Sequence, residues 1–475
     1  MRIILTVFFM IVAGVNSYAQ ETLYMTGCLP DDGRYDKLPR KADLLTRDYK
    51  VLPKQHSLMS YCPEVKSQSQ YGTCTTWAAV YAARTIAEAI KYGWTDKSKI
   101  TSEAFSPIFV YALIKDKDDK NCQKGSYIDE VFELMKRKGV SKYSSFDALC
   151  ADYIKNDLVL AATNYKIDDY FTLFSITLTD GDAKISKVKK SLNENRPVVI
   201  AMHIPVSFYR AGEKWNGIDI DPTKHDYHAM CVIGYDDNMN GGSFQIMNSW
   251  GTRWGNNGFV WVKYSDFAKY VDQAYEIYVK KEIPKPMPTQ KKFVMDGEMK
   301  IASHNGTITT QVTYSEKGKI PHYIATEVFL SGSKFRLYVN NRKAAWVYVI
   351  ASDMKNNVSK LFPYDDVVSA YMNYRDNNFA IPDEQNEFEF DMTAGTDFFC
   401  VLYSQEELDI NSIVKKIEQA NGSFYQKLNM VLGAKIVPIE DVRYIQNYMG
   451  FSAMSNQTIV PLVVEIQHKD ISVNN

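Results

Sequence analysis

The sequence is divided by one segment, KKEIPKPMPTQKK at positions 280–292, which has three prolines at alternate positions and five lysines. Proline holds the backbone extended and closely spaced lysines repel one another, so this composition predicts a solvated spacer. The chain has 475 residues, and chains beyond roughly 250 to 300 residues usually split into domains. We therefore predict two folded regions, 61–281 and 293–475, joined by a linker at 282–292.

The beginning of the chain has the parts of a secretory signal. Arg2 precedes an apolar run at 3–15, and the small residues Ser17 and Ala19 follow. This run is shorter than the ~20 residues that a membrane-spanning helix needs, although a retained anchor is the alternative. We predict a signal peptide at 1–19, cleavage near Ala19, secretion to a periplasmic or extracellular location, and no membrane span in the mature protein.

Residues 20–60 are polar and interrupted by prolines. We interpret them as an extended N-terminal arm that has little share in a hydrophobic core.

The charge of the chain is nearly balanced, with 55 Lys and Arg against 56 Asp and Glu. Such a balance gives no general attraction to nucleic acid or to an acidic membrane, so neither is an expected partner. The 7 cysteines leave at least one thiol unpaired, and export permits disulfides between the others.

Helical patterns dominate the first half of region 61–281, and strand patterns dominate the second half. The Ala-rich stretch 75–92 has apolar residues at three- and four-residue spacing, as a core-facing helix requires. Similar stripes predict helices at about 126–138 and 183–195. After Pro197, short apolar runs separated by Gly, Asn and Asp predict strands. This order indicates an α+β domain with two dissimilar halves.

The region after the spacer is rich in alternating apolar and polar residues. Its clearest runs predict strands of an antiparallel sheet or sandwich, and they lie at 335–341, 344–352, 387–392 and 398–404. One helix is expected near 406–420. We predict a β-sandwich-like C-terminal domain without a catalytic set of its own.

One cysteine, Cys74, stands directly at the start of the most regular predicted helix. Backbone N–H groups and the helix dipole favour negative charge there, which lowers a thiol pKa toward the nucleophilic thiolate. We therefore expect Cys74 to be a partly exposed thiolate at neutral pH. Cys231 and Cys400, inside apolar strand patterns, should be buried and protonated. Taken alone, Cys74 fits an inert buried thiol equally well.

Two later strings supply partners for this cysteine. They are HDYHAMCVIGYDD, which contains His228, and FQIMNSWGTRWGNNGFVWV, which contains Asn248. The order Gln, Cys, His and Asn-Ser-Trp-Gly, with Gly72 two residues before Cys74, resembles the papain family over roughly residues 50–280. The resemblance implies a helical lobe, a β-barrel-like lobe and cysteine peptidase activity. It implies no cofactor, and no metal-ligand motif is visible in the sequence.

The resemblance gives each of these residues a role. Cys74 matches the nucleophile, His228 the base that takes and returns the proton, and Asn248 the group that orients the imidazole. Trp250 matches the ring that covers this contact from solvent. Gln68, six residues before Cys74, matches the oxyanion-hole donor, with the N–H of Cys74 as the second donor.

Two neighbouring residues compete for these roles. Gln70 does not have the six-residue spacing to Cys74, and His225 lacks the His-Ala and Gly-Tyr flanks of His228. The remaining histidines also lack such flanks and are interpreted as surface or satisfied core residues: His56, His203, His304, His322 and His468.

The segment NCQKGSY resembles the glycine-rich segment with which the family binds the substrate backbone, and Gly125 matches its last glycine. Gly72 and Trp250 are expected to bind substrate as well. Lys124 replaces one glycine of the family pattern, and Tyr71 stands where the family has a cysteine. These departures leave the implied chemistry intact but weaken any inference about the substrate pockets.

Two disulfides are predicted. Cys122 and Cys150 flank the second predicted helix and resemble cysteines that the family uses in bridges. Cys28 with Cys62 is the second proposed pair. Both pairs need Cα atoms within about 7 Å.

The implied reaction is hydrolysis of a peptide or protein substrate. The Cys74 thiolate attacks the carbonyl, His228 protonates the leaving amine, and water that His228 activates then hydrolyses the thioester. Endopeptidase action is the default expectation. A papain-fold binding protein and an amide acyltransferase that uses the same thioester are the alternatives.

Control of this activity has two candidate sources. Gln20 and Gln68 are only 48 positions apart, so we expect no long helical prosegment, and the N-terminal arm or the C-terminal domain would have to cover the cleft. The C-terminal domain is similar to an uncharacterised β-rich domain appended to bacterial peptidases. That similarity implies binding to an unknown protein or a component of the cell envelope.

Overall fold

A computed structural model describes most of the chain. The described residues are 24–42, 52–219, 221, 223–279, 293–304, 308–309, 312–315, 320–353, 357–372, 378–383 and 386–470. The predicted signal peptide and the linker at 282–292 lie outside these residues. Of the helices within these ranges, none has both the length and the apolar content that a membrane crossing needs.

Helices occupy the first part of the N-terminal region. The helix predicted at 75–92 is continuous, although its middle part, Trp77–Arg84, has π-helical hydrogen bonds. Gly93 ends it in a left-handed conformation. The helices predicted at 126–138 and 183–195 also form. The helices of this region are α1 (Asp32–Tyr35), α2 (Cys74–Thr76), α3 (Thr85–Tyr92), α4 (Lys97–Ser102), α5 (Pro107–Ile114), α6 (Ile128–Arg137), α7 (Asn156–Ala162), α8 (Gly181–Asn193) and α9 (Tyr264–Tyr270).

The sheet of this region is built mainly from the part after Pro197. Its strands are β1 (Gln55–Ser57), β2 (Asp169–Thr172), β3 (Val198–Pro205), β4 (Lys214–Trp215), β5 (His225–Asp236), β6 (Ser243–Met247), β7 (Phe259–Lys263) and β8 (Val271–Tyr278). Their order is β2-β8-β3-β5-β6-β7-β4, with β1 paired to β5. One buried cluster joins helices and sheet, through residues such as Phe132 and Val199. The predicted α+β class is confirmed.

The N-terminal arm takes a larger part in the core than expected. Tyr35 is 1% exposed, and its hydroxyl donates to the carbonyl of Ala274 in β8 at 3.3 Å and accepts from the Ala274 amide at 3.2 Å. Leu58 is also fully buried. The expectation of a small core contribution is wrong, because the few apolar side chains of a polar segment are the ones that reach the interior.

The C-terminal region contains two further sheets and a helical pair. Its elements are β9 (Phe293–Ser303), β10 (Ile308–Thr309), β11 (Val312–Ser315), β12 (His322–Ala325), β13 (Phe329–Leu330), β14 (Lys334–Asn341), β15 (Ala345–Ser352), β16 (Val358–Phe362), β17 (Tyr371–Met372), β18 (Asn378–Ile381), β19 (Phe388–Glu389), β20 (Gly395–Ser404), α10 (Ile410–Gln419), α11 (Phe424–Leu432), β21 (Val442–Tyr444), β22 (Gly450–Ser455) and β23 (Ile459–Lys469).

These two sheets form the predicted sandwich. One has the order β18-β14-β9-β22-β21 and the other the order β11-β12-β23-β20-β15-β16. Apolar side chains of both, such as Leu337 and Val401, share one core, as in sheets packed face to face. On the outer face of the second sheet, Leu402 belongs to a cluster with Ile417 of α10 and Leu428 of α11. The C-terminal region is β-rich, as predicted.

Three details of this region differ from expectation. Strand β23 pairs in parallel with β12 and β13, so the second sheet is mixed rather than antiparallel. A second helix, α11, follows α10, and only Phe388–Glu389 of the run 387–392 forms a strand. Alternation cannot distinguish the direction of a neighbouring strand, because alternate side chains point to opposite faces in either case.

One predicted disulfide forms and the other does not. Cys122 and Cys150 are bonded, with Cα atoms 5.8 Å apart, so that prediction is confirmed. The pairing of Cys28 with Cys62 is wrong, since both are free, buried thiols. The two thiols lie in different surroundings. Cys28 lies on the arm beside Ser126, and the Cys62 thiol donates to the carbonyl of Leu58.

Candidate active site

Cys74 is the first residue of α2, and its side chain is fully buried. Thr73 before it is not helical, so the chain turns into the helix at the thiol. The amide of Ala229 donates to Sγ at 3.5 Å, and the amides of Thr75 and Cys28 also favour the thiolate. Burial outweighs these donors and raises the pKa of Cys74 to about 12. The thiol is therefore protonated in this form.

His228 and Asn248 meet across two neighbouring strands. His228 lies in β5, and Asn248 follows the end of the antiparallel strand β6. His228 Nε2 and Asn248 Oδ1 are 2.7 Å apart. The same oxygen accepts from the amide of Ser249 at 2.7 Å, which identifies it as an acceptor. Nε2 therefore carries the proton, and Nδ1 holds the free electron pair.

The imidazole of His228 is neutral in this form. Burial lowers its pKa to about 4, although the bond to Asn248 acts in the opposite direction. Within the part of the chain that the structure describes, Nδ1 has no hydrogen-bond partner. A buried ring with one oriented N–H and one unused acceptor has the protonation state of a general base.

Trp250 covers the contact between His228 and Asn248. Its ring stacks on the His228 ring at a centroid distance of 4.4 Å and is itself only 3% exposed. Tyr209 and Tyr24 also stack on Trp250, at 5.1 and 4.9 Å. This stack of rings removes His228 from water, which accounts for its lowered pKa.

Gln68 is fully buried and makes hydrogen bonds with both parts of its amide. Its Oε1 accepts from the hydroxyl of Ser249 at 2.6 Å, which orients the side chain. Its Nε2 donates to the carbonyl oxygens of Tyr71 at 2.8 Å and Met25 at 3.0 Å. The Gln68 amide is thus fixed in an orientation in which its N–H donates to a backbone carbonyl of the arm.

The two glycines predicted to bind substrate line one side of the same cleft. The amide of Gly72 donates to the carbonyl of Cys122 at 2.8 Å, and a Cβ on Gly72 would lie 2.7 Å from the carbonyl oxygen of Gln123. Gly125 has a φ of +80°, which favours glycine. The disulfide between Cys122 and Cys150 fixes this loop beside the start of α2.

Residues 24–29, which we call the strap, run through this cleft. The amide of Ser126 donates to the carbonyl of Gly27 at 3.0 Å, and the amide of Leu29 donates to the carbonyl of Ser126 at 3.1 Å. The strap and the loop are therefore paired in parallel. The carbonyl of Met25 accepts from Gln68 and, at 2.9 Å, from Nε1 of Trp250.

Gly27 is the point of closest approach between the strap and the cleft. A Cβ at this position would lie 2.2 Å from the carbonyl oxygen of Gly72, and a Cβ on Gly125 would lie 2.4 Å from the carbonyl oxygen of Gly27. Only glycines at these positions allow the backbones to come so close.

The strap explains why one prediction is wrong. Cys74 was expected to be a partly exposed thiolate, but its thiol is fully buried and protonated, with the amide of Cys28 in the strap beside it. Cys231 and Cys400 are buried, and burial raises their pKa, as predicted.

The competing residues lie in different surroundings. His225, the first residue of β5 and three positions before His228, has Nε2 at 2.9 Å from a carboxylate oxygen of Asp219, and Gln70 is exposed. Among the described residues, no group of three or more His, Cys, Asp or Glu side chains is arranged to hold a metal ion.

Sequence reasoning did not identify Met25, Ser126 or Ser249 as part of this site. Ser249 stands inside the Asn-Ser-Trp-Gly string, and its position next to Asn248 could have indicated a role. Met25 and Ser126 take part through their backbone groups, which the sequence does not record.

The region that contains Cys74, His228 and Asn248 matches a protein-family model. The model described as "Papain family cysteine protease" matches residues 53–278. This region is similar to the papain family. A second model, "Domain of unknown function (DUF4384)", matches residues 328–407, within the sandwich.

Curated relatives of the papain-family region are plant proteins among others. Vignain of Vigna mungo is 24% identical over 208 residues, and vignain of Phaseolus vulgaris is 26% identical over 208 residues. Each alignment covers 42% of this chain and 50% of the relative. The chain thus spans about half the length of the curated relatives that it matches.

Solved structures resemble the same region. Xylellain, a cysteine protease from Xylella fastidiosa, is 21% identical, with a TM-score of 0.43, and the match covers 54% of this chain and 97% of that one. The bromelain protease from Ananas comosus, in complex with the E64 inhibitor, is 19% identical with a TM-score of 0.38 and covers 48% and 100%.

Proposed function

We propose that this protein is a cysteine peptidase that hydrolyses peptide bonds through Cys74, His228, Asn248 and Gln68. The observation that carries the proposal is the 2.7 Å contact of His228 Nε2 with an acceptor oxygen of Asn248. This contact leaves Nδ1 as the basic nitrogen, and the amide of the following residue, Ala229, donates to the Cys74 thiol at 3.5 Å. The curated relatives that are named as cysteine proteases agree with this chemistry.

The first step needs a thiolate, and the site can supply one when the cleft opens. Solvent then removes the burial that raises the pKa of Cys74, while the amides of Ala229 and Thr75 still favour the charged sulfur. The proton passes to Nδ1 of His228. Asn248 accepts from the opposite side of the ring and so favours the resulting imidazolium.

The acyl step needs donors for a negatively charged oxygen. Gln68 Nε2 already donates to a peptide carbonyl, that of Met25, at 3.0 Å, and Ser249 holds the amide in this orientation. We assign the same N–H, together with the amide of Cys74, to the oxyanion of the substrate. His228 then protonates the leaving amine and later activates water against the thioester.

We further propose that the described form is latent. The strap occupies the positions that a substrate backbone would need beside Gly72, Gly125 and Gln68. Latency therefore comes from the N-terminal arm. Export of the mature protein, after cleavage near Ala19, is also proposed, and a disulfide between Cys122 and Cys150 is compatible with an oxidising compartment.

The test compares Cys74→Ala with Cys231→Ala, another buried cysteine. Each mature full-length protein is treated with mild acid to open the cleft, and then assayed on a peptide library with and without a thiol-directed epoxide. Cys74→Ala should lose all hydrolysis, whereas Cys231→Ala should retain epoxide-sensitive hydrolysis. Normal turnover by Cys74→Ala would rule out the proposed function. An added amine that is incorporated into products would indicate acyl transfer instead.

A further inference from the structure

The arm that carries the strap is also held by the C-terminal region. At Arg40 the backbone pairs on two sides, in parallel with Thr172 of β2 and in parallel with Val368 of the sandwich. The Arg40 amide donates to the carbonyl of Val367 at 2.6 Å, and its carbonyl accepts from the amide of Ser369 at 2.8 Å. A single extended residue thus joins the edge of the catalytic sheet to the C-terminal region.

The hydrogen bonds on the catalytic side have the same form. The amide of Lys41 donates to the carbonyl of Thr172 at 2.8 Å, and the amide of Thr172 donates to the carbonyl of Pro39 at 2.9 Å. The Lys41 ammonium lies between the buried carboxylates of Glu276 and Glu194, at 2.9 and 3.0 Å. The arm is therefore an additional strand between two regions.

The loop of the sandwich that pairs with Arg40, residues 367–369, is packed into the sandwich core. Val368 is 5% exposed and belongs to the core between the two sheets, and Ala42 of the arm joins the same core. The carbonyl of Ala370 accepts from Val347 in β15. A direct contact between the regions lies close by, where the rings of Tyr278 and Tyr371 meet at 5.5 Å.

We propose that the C-terminal region acts as the anchor of the inhibitory arm, so that its undocking from residues 39–42 opens the active-site cleft. The inference rests on the proposed function, and it gives the sandwich a regulatory role. The reason is physical: residues 30–38 connect the strap to Arg40, so the bonds of Arg40 to the sandwich limit how far the whole arm can move. Tyr35 holds the same arm to β8, so an unpaired Arg40 would weaken this hold without abolishing it, and a freer segment lowers the probability of closure.

The proposal predicts the rate at which the Cys74 thiol becomes accessible. Alkylation of Cys74 requires the open form, so its rate follows the population of that form. One backbone hydrogen bond of average strength changes an equilibrium by about two- to tenfold. Removal of either bond between Arg40 and the loop should therefore accelerate Cys74 alkylation by about two- to tenfold in the full-length protein.

Two matched pairs of variants test this from opposite sides. Arg40→Pro removes the N–H that donates to Val367, whereas Arg40→Ala keeps it and removes only the side chain. Ser369→Pro removes the N–H that donates to Arg40, whereas Ser369→Ala keeps it. Iodoacetamide labelling of Cys74 is followed by mass spectrometry near neutral pH, with Cys231 as an internal measure of general unfolding.

A third variant covers the case in which the proline variants do not fold. Arg40→Cys with Val368→Cys places thiols on residues that are paired neighbours, at a strand spacing that suits a disulfide. Under oxidising conditions this link should slow Cys74 alkylation relative to the same variant after mild reduction, with the unsubstituted protein as the control for the reductant.

The outcomes separate the anchor from the peptidase. Faster alkylation in both proline variants, with unchanged rates in both alanine variants, supports the anchor even if no variant hydrolyses peptides. Equal alkylation rates within each pair, or a cross-link without effect, would overturn it even if the acid-treated protein is a normal peptidase.

Discussion

At the scale of single residues, the described form is defined by two protonation states. Burial raises the pKa of Cys74 to about 12 and lowers that of His228 to about 4. Both groups are thus uncharged at neutral pH, although catalysis needs the pair in a charged form. Transfer of the Cys74 proton to His228 takes up no proton from solvent, so the opening is sensitive to pH only through open molecules in which the thiol keeps its proton and His228 binds another.

Acid should favour the open form through His228. The pKa of the buried ring is about 4, and that of a solvated histidine is about 6.5. Between these values an open form in which Cys74 stays protonated binds one more proton than the closed form, so the closed form loses stability relative to it as pH falls through this window, by up to about 3 kcal/mol. Hydrogen exchange of residues 24–29, corrected for its intrinsic pH dependence, should show the change.

The control for this prediction is a histidine outside the site. His228→Gln should flatten the pH dependence of strap exchange, whereas His225→Gln, whose ring pairs with Asp219, should leave it in place. An unchanged dependence in His228→Gln would mean that another group titrates.

Gln68→Ala should have two opposite effects. Loss of an oxyanion donor should lower kcat by about 10² to 10³-fold. Because Nε2 of Gln68 also holds the carbonyl of Met25, the same variant should speed up Cys74 alkylation in protein that has not been treated with acid. Gln70→Ala, at an exposed position, should change neither measurement. Undiminished kcat in Gln68→Ala would remove this residue from the mechanism.

The positions of Cys74, His228 and Asn248 could be inferred from sequence because short strings carry them. Their burial could not, since it depends on the backbone of residues 24–29. No pattern in a polar, proline-containing arm indicates that its carbonyl groups meet Gln68 and Trp250.

At the scale of elements, the strap is held mainly by contacts between backbones, with the stacking of Tyr24 on Trp250 as a side-chain contact. Its bonds to Ser126 and its approach to Gly72 involve main-chain atoms at Gly27 and Leu29. The strap should therefore tolerate many changes of side chain but not the addition of one at Gly27.

Gly27→Ala should open the cleft. The added Cβ would meet the Gly72 carbonyl at 2.2 Å, and such overpacking costs about 1 to 3 kcal/mol, so Cys74 alkylation should accelerate at least about fivefold. Gly33→Ala is the matched control, because its nearest neighbour is the Asp31 side chain at 3.8 Å. Equal alkylation rates for the two variants would show that the strap does not control access to the thiol.

Elements with regular periodicity were predicted well, and their hydrogen-bond details were not. The helix at 75–92 has a clear apolar stripe, yet the π-helical bonds of Trp77–Arg84 arise from packing that the stripe does not encode. In the sandwich, the direction of β12 relative to β23 follows from the chain path between them, which local alternation cannot determine.

At the scale of the whole molecule, the described residues form separate buried clusters on the two sides of the predicted linker. One buried cluster draws its residues from the part between Cys28 and Ile277. The two clusters of the C-terminal region use residues from Met295 onward, with Ala42 as the member contributed by the arm. The arm thus packs against both regions, although the predicted boundaries assign it to neither.

A chain that ends at Lys281 should fold, remain soluble and cleave peptides. It keeps the complete N-terminal cluster and the residues assigned to catalysis, and loses the outer partner of Arg40, the core contacts of Ala42 and the ring contact of Tyr278. Calorimetry of the full-length protein should accordingly resolve two transitions. Insolubility of the shortened chain, or complete inactivity after acid treatment, would show that the two regions depend on each other.

The double use of Gln68 has a consequence for how this protein can evolve. The N–H that we assign to catalysis also holds the arm, through the carbonyl of Met25, to which Trp250 donates as well. A lineage that loses this side chain would weaken turnover and self-restraint in a single step. An inactive descendant that keeps a closed cleft should therefore arise by substitution of the thiol or the imidazole rather than of Gln68.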